Sequence, residues 1–211
     1  MLRDGVSCAT VGLAGGFFIA AIARMIGVIY PFASLWFAIC VISLIAIATG
    51  FYIAGRVTSF DAQVAARRAA GVLLLAGLAL TIVLVFLYAL PILRPSVVVE
   101  VTGLVGPMIS LLFFPVLLIA MSARLSVVGE NSGMFVSLFS ILGGMSGIAI
   151  LELPVLKLIS PSWPIAMGVL ILHLVGIWAI RLGDLTTRSQ SMAGVLSLVM
   201  IVLSSIFAAI I

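Results

Sequence analysis

Three side chains stand out for chemistry in an otherwise aliphatic chain: Arg24, Glu152 and His173. Arg24 lies inside the first apolar run, roughly a turn and a half before its end. A charged side chain at the centre of a membrane helix costs at least roughly 2.5 kcal/mol, so Arg24 needs a partner or a route to the headgroups. Glu152 closes a later apolar run, and a pair with Arg24 is geometrically allowed. As chemistry, such a pair would be a gate or a substrate site. As structure, it would be a tie between helices, or an arginine snorkelling to the surface, and the structural reading is preferred. His173 is the only histidine and falls near the middle of another apolar run. An ionisable group at that depth is a candidate proton relay or cofactor ligand. With no second ligand nearby in the sequence, a neutral imidazole hydrogen-bonded within the bundle is the preferred reading.

Other chemistry finds little support. The remaining acids, Asp4, Asp61, Glu100, Glu130 and Asp184, map to run ends or loops. Cation carriers use a carboxylate at mid-membrane depth. Cys8 and Cys40 form no CxxC or Cys/His cluster, so neither a metal nor a cofactor is expected. The glycine-rich ILGGMSG at 141–147 resembles a nucleotide loop in its letters alone. No strand precedes it, and no acidic residue follows at a suitable distance. No GxSxG, HExxH or paired-carboxylate motif is present, and the expectation is a protein that is not an enzyme.

The elements that position these residues follow from composition. Of 211 residues, 65% are hydrophobic and 8% charged, against roughly 25% charged in a soluble domain. Such a chain partners the lipid bilayer, and its net charge of +4 reads as helix-end anchoring and not as nucleic-acid binding. Each span needs about 20 apolar residues. Charges and Pro/Gly clusters then divide the chain into seven predicted helices, at residues 7–29, 33–55, 69–93, 102–123, 132–151, 163–180 and 192–211. The expected fold class is all-α, a polytopic membrane bundle forming a single transmembrane domain over residues 1–211. The MLRDG start resembles a signal n-region, but no persuasive cleavage site follows, so a retained first helix is expected. Pro115 is expected to kink the fourth helix.

Orientation follows from the basic residues. With the N-terminus inside, the inner face receives Arg3, Arg56, Arg67, Arg68, Arg124, Arg181 and Arg188. The outer face receives Arg94 and Lys157, with Arg24 and Glu152 towards that side. Tyr30, Trp36 and Trp163 suit the interfacial aromatic belts.

Small-residue stripes predict close helix packing. In the fifth helix Gly133, Ser137, Ser140, Gly144 and Gly147 share one face, with Gly143 beside them. In the first helix Ala9, Gly12, Gly16, Ala20, Ala23 and Gly27 do the same. A direct contact between the two stripes is an inference that spacing alone does not prove. The letters show no obvious inverted repeat.

Three segments resemble the membrane module of membrane-bound spermidine-synthase-like proteins, itself similar to half a major-facilitator transporter. FFIAAIARMIGVIYPFASLW resembles that family's first helix with its arginine, here Arg24. IAIATGFYIAGRVTSFD is similar to its second helix and following loop, with Gly50, Gly55, Arg56 and Asp61. FFPVLLIAMSARL, followed by NSGMFVSLFSILGGMSGIAI, resembles its proline-bearing helix, turn and glycine-rich helix through Pro115, Arg124, Leu125, Gly133, Gly143, Gly144 and Gly147. The chain departs from the pattern at Ala20, Ala21 and Ala23, where the family carries a polar Gln or Glu before the arginine. The soluble aminopropyltransferase domain has no counterpart in these residues. The resemblance therefore implies a membrane fold and not the synthase activity.

The functional expectation is a non-catalytic integral membrane subunit that anchors or stabilises a partner complex through helix packing. Other membrane-protein subunits or a homodimer would be its partners, and a bacterial or archaeal cytoplasmic membrane its location. The alternative is a small-molecule transporter or half-transporter, with Arg24, Glu152 and His173 lining a path.

Overall fold

A computed structural model of the chain describes residues 2–29, 33–57, 61–93, 101–125, 132–153, 159–182 and 187–210. Tyr30, Arg94, Glu100, Glu130, Lys157 and Asp184 lie outside the described residues, as do the side chains of Arg3, Asp4 and Trp36 and the surroundings of Gly27 and Gly133. The described residues form seven α-helices: α1 (Leu2–Ile29), α2 (Ala33–Val57), α3 (Ala62–Leu93), α4 (Val101–Leu125), α5 (Ser132–Leu151), α6 (Ser162–Leu182) and α7 (Thr187–Ile210). Five carry segments long and apolar enough to cross a membrane: Gly5–Met25, Phe37–Val57, Gln63–Phe86, Ser162–Arg181 and Arg188–Ile210. The described apolar stretches of α4 and α5 are shorter, Ser110–Leu125 and Val136–Leu151. The protein is an integral membrane helix bundle.

The helices run past their predicted ends where polar residues still favour helix. α3 starts at Ala62, not at residue 69, because Asp61 caps it: the amide of Gln63 donates to Asp61 Oδ1 at 2.8 Å. The amide of Ala65 donates to the Asp61 carbonyl at 2.9 Å, which closes the first turn. Arg67 and Arg68 therefore stand on a helix and not in a loop. Arg68 reaches back to the carbonyl of Val57 at the end of α2, which ties the α2–α3 hairpin. α1 begins at Leu2 and α7 at Thr187, each five residues before its predicted start. α4 runs unbroken through buried Pro115.

α1 packs along α5 in parallel, since Gly12 meets Ser140 and Gly16 meets Gly144. α1 crosses α4 in the opposite sense, with Cys8 beside Ala123 and Gly15 beside Ile119. α3 and α6 are antiparallel: Leu80 lies on Gly168 and Leu74 on Gly176. α2 packs on α4, with Gly50 against the α4 backbone at Leu117 and Met121.

This pairing has an internal order. Exchanging α1, α2 and α3 for α4, α5 and α6 leaves it unchanged. α1 packs on α5 as α4 packs on α2. α1 meets α6 as α4 meets α3, while α3 and α6 meet each other. Because α1 and α4 run in opposite senses, the two triplets are inverted copies in their packing. α7 stands outside the scheme, against α6 and α3, pinned where the hydroxyl of Ser162 donates to the Ala208 carbonyl at 3.0 Å. Its apolar segment is the least buried of the five, 17% against 72% for α1. That contrast marks α1 as the centre of the bundle and α7 as its rim.

The α1–α5 seam shows why the stripes are small. A Cβ placed on Gly12 would fall on the carbonyl of Ser140, one on Gly16 on the carbonyl of Gly144, and one on Gly143 on the carbonyl of Ala9. One on Gly147 would lie 2.7 Å from the Leu13 carbonyl oxygen. Backbone meets backbone, which gives dispersion contact that larger side chains would prevent. Above the glycines, Ala20 and Phe17 close on Leu151.

Candidate functional site

The two ends of the bundle differ. Arg56 ends α2, Arg67 and Arg68 begin α3, Arg124 and Arg181 lie at the ends of α4 and α6, and Arg188 begins α7. The helix directions collect all six at one end. Arg56 donates to the hydroxyl of Tyr52 at 2.6 Å and lies 5.0 Å from that ring's centre. Arg24, Glu152 and Trp163 stand at the opposite end.

The structure brings Arg24 and Glu152 together. Their charged atoms are 3.5 Å apart, and the Arg24 guanidinium also donates to the carbonyl of Leu151. That carbonyl belongs to the last turn of α5, where backbone acceptors lack helical partners and the helix dipole favours a cation. Arg24 therefore caps α5. Its side chain is mostly buried, at 17% exposure, while Glu152 is half in the open at 53%. The geometry joins α1 to the end of α5 and leaves Glu152 as the outer member of the pair.

His173 is brought to neither of them. It is buried between α6 and α3, with Nδ1 2.9 Å from the carbonyl of Val169 on its own helix. A carbonyl only accepts, so Nδ1 carries the proton. The ring lies on Gly77 of α3, where a Cβ would collide with Cε1 and Nδ1. Thr81 seals the same notch by donating to the Gly77 carbonyl at 3.0 Å. Among the described residues no group of three metal-ligating side chains forms around it.

A separate cavity lies away from these side chains. A cleft of about 380 Å³ lies between α2 and α5, floored by α1 and α4. Gly12, Gly15 and Gly16 leave its floor bare, and Ile47 and Ile119 line it with hydrocarbon. Leu44 and Met145 stand exposed at its mouth. α2 and α5 do not pack along each other, so the cleft is open between them. Arg24, Glu152 and His173 do not line it.

Two serines do. The hydroxyls of Ser43 and Ser140 are buried without a hydrogen-bond partner. Ser197, on α7 and away from the cleft, is a third such group. Neither Ser43 nor Gly77 is singled out by the sequence. Their letters carry no mark of the partner helix, so no signal could have found them. Gly147, Gly144, Gly143, Ser140, Gly12 and Gly16 all lie at the α1–α5 seam, and Ser137, one turn before Ser140, is half-buried. No family model matches this chain, and neither a curated protein nor a solved structure matches it.

Proposed function

We propose that this chain is a non-catalytic integral membrane subunit that anchors or stabilises a partner complex through helix packing. The observation that carries the reading is the placement of its polar side chains. Arg24 and Glu152 cap a helix, His173 fills a notch between two helices, and the mid-depth cleft between α2 and α5 is hydrocarbon-lined. Within the chain, α1 and α5 meet by close backbone contact at Gly12, Gly16 and Gly143. In this reading all seven helices span, with the arginine-rich end and the N-terminus inside, in a bacterial or archaeal cytoplasmic membrane. The partner surface is the outward face of α7, where Val195, Leu198, Val199 and Val202 are exposed. Other membrane subunits or a second copy would cover it.

The test is purification from native membranes in mild detergent, followed by mass spectrometry of what accompanies the chain. A stoichiometric membrane partner, lost when Val195 and Val199 are changed to Trp, is the expected result. A monodisperse single chain would overturn it. Reporter fusions in the α2–α3 connection should lie on the inner side; an outer location would reverse the orientation.

A second reading, a half-transporter resembling the spermidine-synthase-like membrane module, draws support from the inverted three-plus-three packing. Transporters built from inverted repeats bind substrate where the repeats meet. Substrate flux in liposomes that falls in Arg24→Ala and His173→Ala would favour it over the subunit reading.

A further inference from the structure

The arginines at the basic end are gathered most tightly where α2, α3 and α4 meet. Ala54 of α2, Ala69 of α3 and Leu125 of α4 form one small buried cluster. Each has an arginine next to it or two residues away: Arg56, Arg68 and Arg124. Arg68 donates to the carbonyl of Val57, the residue after Arg56, which sets its guanidinium beside the end of α2. Arg56 and Arg68 are exposed, and Arg124 is half-buried. Like charges gathered this way repel. Among the described side chains the acids are Asp61 and Glu152, and Glu152 stands at the opposite end. Asp61 accepts from the amide of Gln63 at the head of its own helix. The corner therefore carries positive charge that the described side chains do not balance.

Helix capping explains part of this, since a cation suits the last carbonyls of α2. It does not use the guanidinium groups fully. Each has five N–H donors. Among the described residues Arg56 gives one to the Tyr52 hydroxyl and Arg68 one to the Val57 carbonyl. A phosphate, with its several charged oxygens, matches what remains in both charge and geometry. Depth selects the source of that phosphate. Arg56 is the last residue but one of the apolar segment Phe37–Val57, at the edge of the membrane. Tyr52, one turn deeper and 62% exposed, accepts from Arg56, and a phenol at that level suits the headgroup layer. Ile45 and Tyr52, seven residues apart, are both exposed on one outward face of α2. An acyl chain laid on that strip hangs directly below the arginines. We propose that the α2–α3–α4 corner binds one anionic phospholipid, its phosphate held by Arg56 and Arg68 in the field of Arg124 and its acyl chain along α2. A zwitterionic headgroup brings a cation against the same arginines and binds more weakly. The site works the same way whichever side of the membrane the basic end faces.

The experiment is native mass spectrometry of the full chain in detergent, titrated with phosphatidylglycerol or with phosphatidylcholine of the same acyl chains. One phosphatidylglycerol should be retained at concentrations at least about tenfold below those phosphatidylcholine needs. Arg56→Gln should weaken that retention about fivefold, the usual contribution of one basic residue to anionic-lipid binding. Adding Arg68→Gln should bring the loss to about thirtyfold. Arg56 is exposed and outside the core, so the single variant reports on the site even if loss of the Arg68 tie unfolds the double one. Arg181→Gln with Arg188→Gln removes the same charge from the same end and should change retention by less than about twofold. Equal losses in the two pairs would overturn the proposal, because the attraction would then be diffuse. So would phosphatidylcholine held as tightly as phosphatidylglycerol. Glycerol 3-phosphate competing as well as the lipid would also overturn it, by assigning the corner to a soluble phosphate ester. A photocrosslinking residue in place of Tyr52 should capture lipid in native membranes; capture of another protein there would overturn the assignment too.

Discussion

The imidazole of His173 stands in the space that a side chain at Gly77 would need, so α3 and α6 meet through a ring laid on bare backbone. The two positions are complementary in volume, and neither can change alone without cost. Gly77→Ala should destabilise the bundle by about 1–3 kcal/mol, the usual cost of overpacking. In a His173→Ala background the same change should cost far less, a coupling of about 0.5–3 kcal/mol between touching residues. Unfolding of the four variants in detergent measures this directly; additive effects would show that the ring does not occupy the notch.

The glycines divide into two groups with opposite expected behaviour. Gly12→Ala, Gly16→Ala and Gly143→Ala each drive a methyl into the backbone of the facing helix, and each should lower stability by about 1–3 kcal/mol. Gly71 and Gly194 have nothing within 4 Å of where a Cβ would stand. Alanine there should raise stability by up to about 1 kcal/mol through helix propensity. Thermal unfolding in one detergent separates the groups, and equal losses at all five sites would contradict the α1–α5 seam.

Loss of Arg24 should cost more than loss of Glu152. Arg24→Ala strips the last carbonyl of α5 of its donor and removes the cation beside Glu152, an expected loss of about 1–2 kcal/mol. Glu152→Gln removes an exposed partner and should change stability by no more than about 1 kcal/mol. The same unfolding assay decides; the reverse order would mean that the carboxylate is the anchor.

The two cysteines provide a structural check that needs no functional assay. Cys8 is buried and lies 3.4 Å from the Ala123 carbonyl, while Cys40 is exposed near the start of α2. In detergent at alkaline pH a maleimide should modify exposed Cys40 faster than buried Cys8, which should react only after unfolding. Equal rates in the native state would contradict the α1–α4 contact.

Sequence makes some of this legible and hides the rest for physical reasons. Long apolar runs show the helices because lipid tolerates nothing else, and the stripes on α1 and α5 are visible because close approach demands small residues. Their mutual contact is an inference that the structure confirms at Gly12 and Ser140. The expected start of α3 falls too late because Arg67 and Arg68 read as loop, whereas the Asp61 cap carries the helix through them. The inverted packing is invisible in the letters, since it resides in which helices touch and not in matched residues. Ser43 looks like any helical serine; only the neighbouring helices reveal that its hydroxyl is enclosed without a hydrogen-bond partner.

The α1–α5 seam also sets a schedule for biosynthesis. Arg24 and the carbonyl it caps are 127 residues apart in the chain. At about 5–20 residues per second of synthesis, α1 waits roughly 6–25 s for its partner. Throughout that interval the glycine face of α1 is in the membrane with no α5 to meet it. The helix at the centre of the finished bundle is thus made before every helix it packs on. Whatever shelters that face meanwhile, lipid or insertion machinery, must bind it weakly enough to yield when α5 arrives.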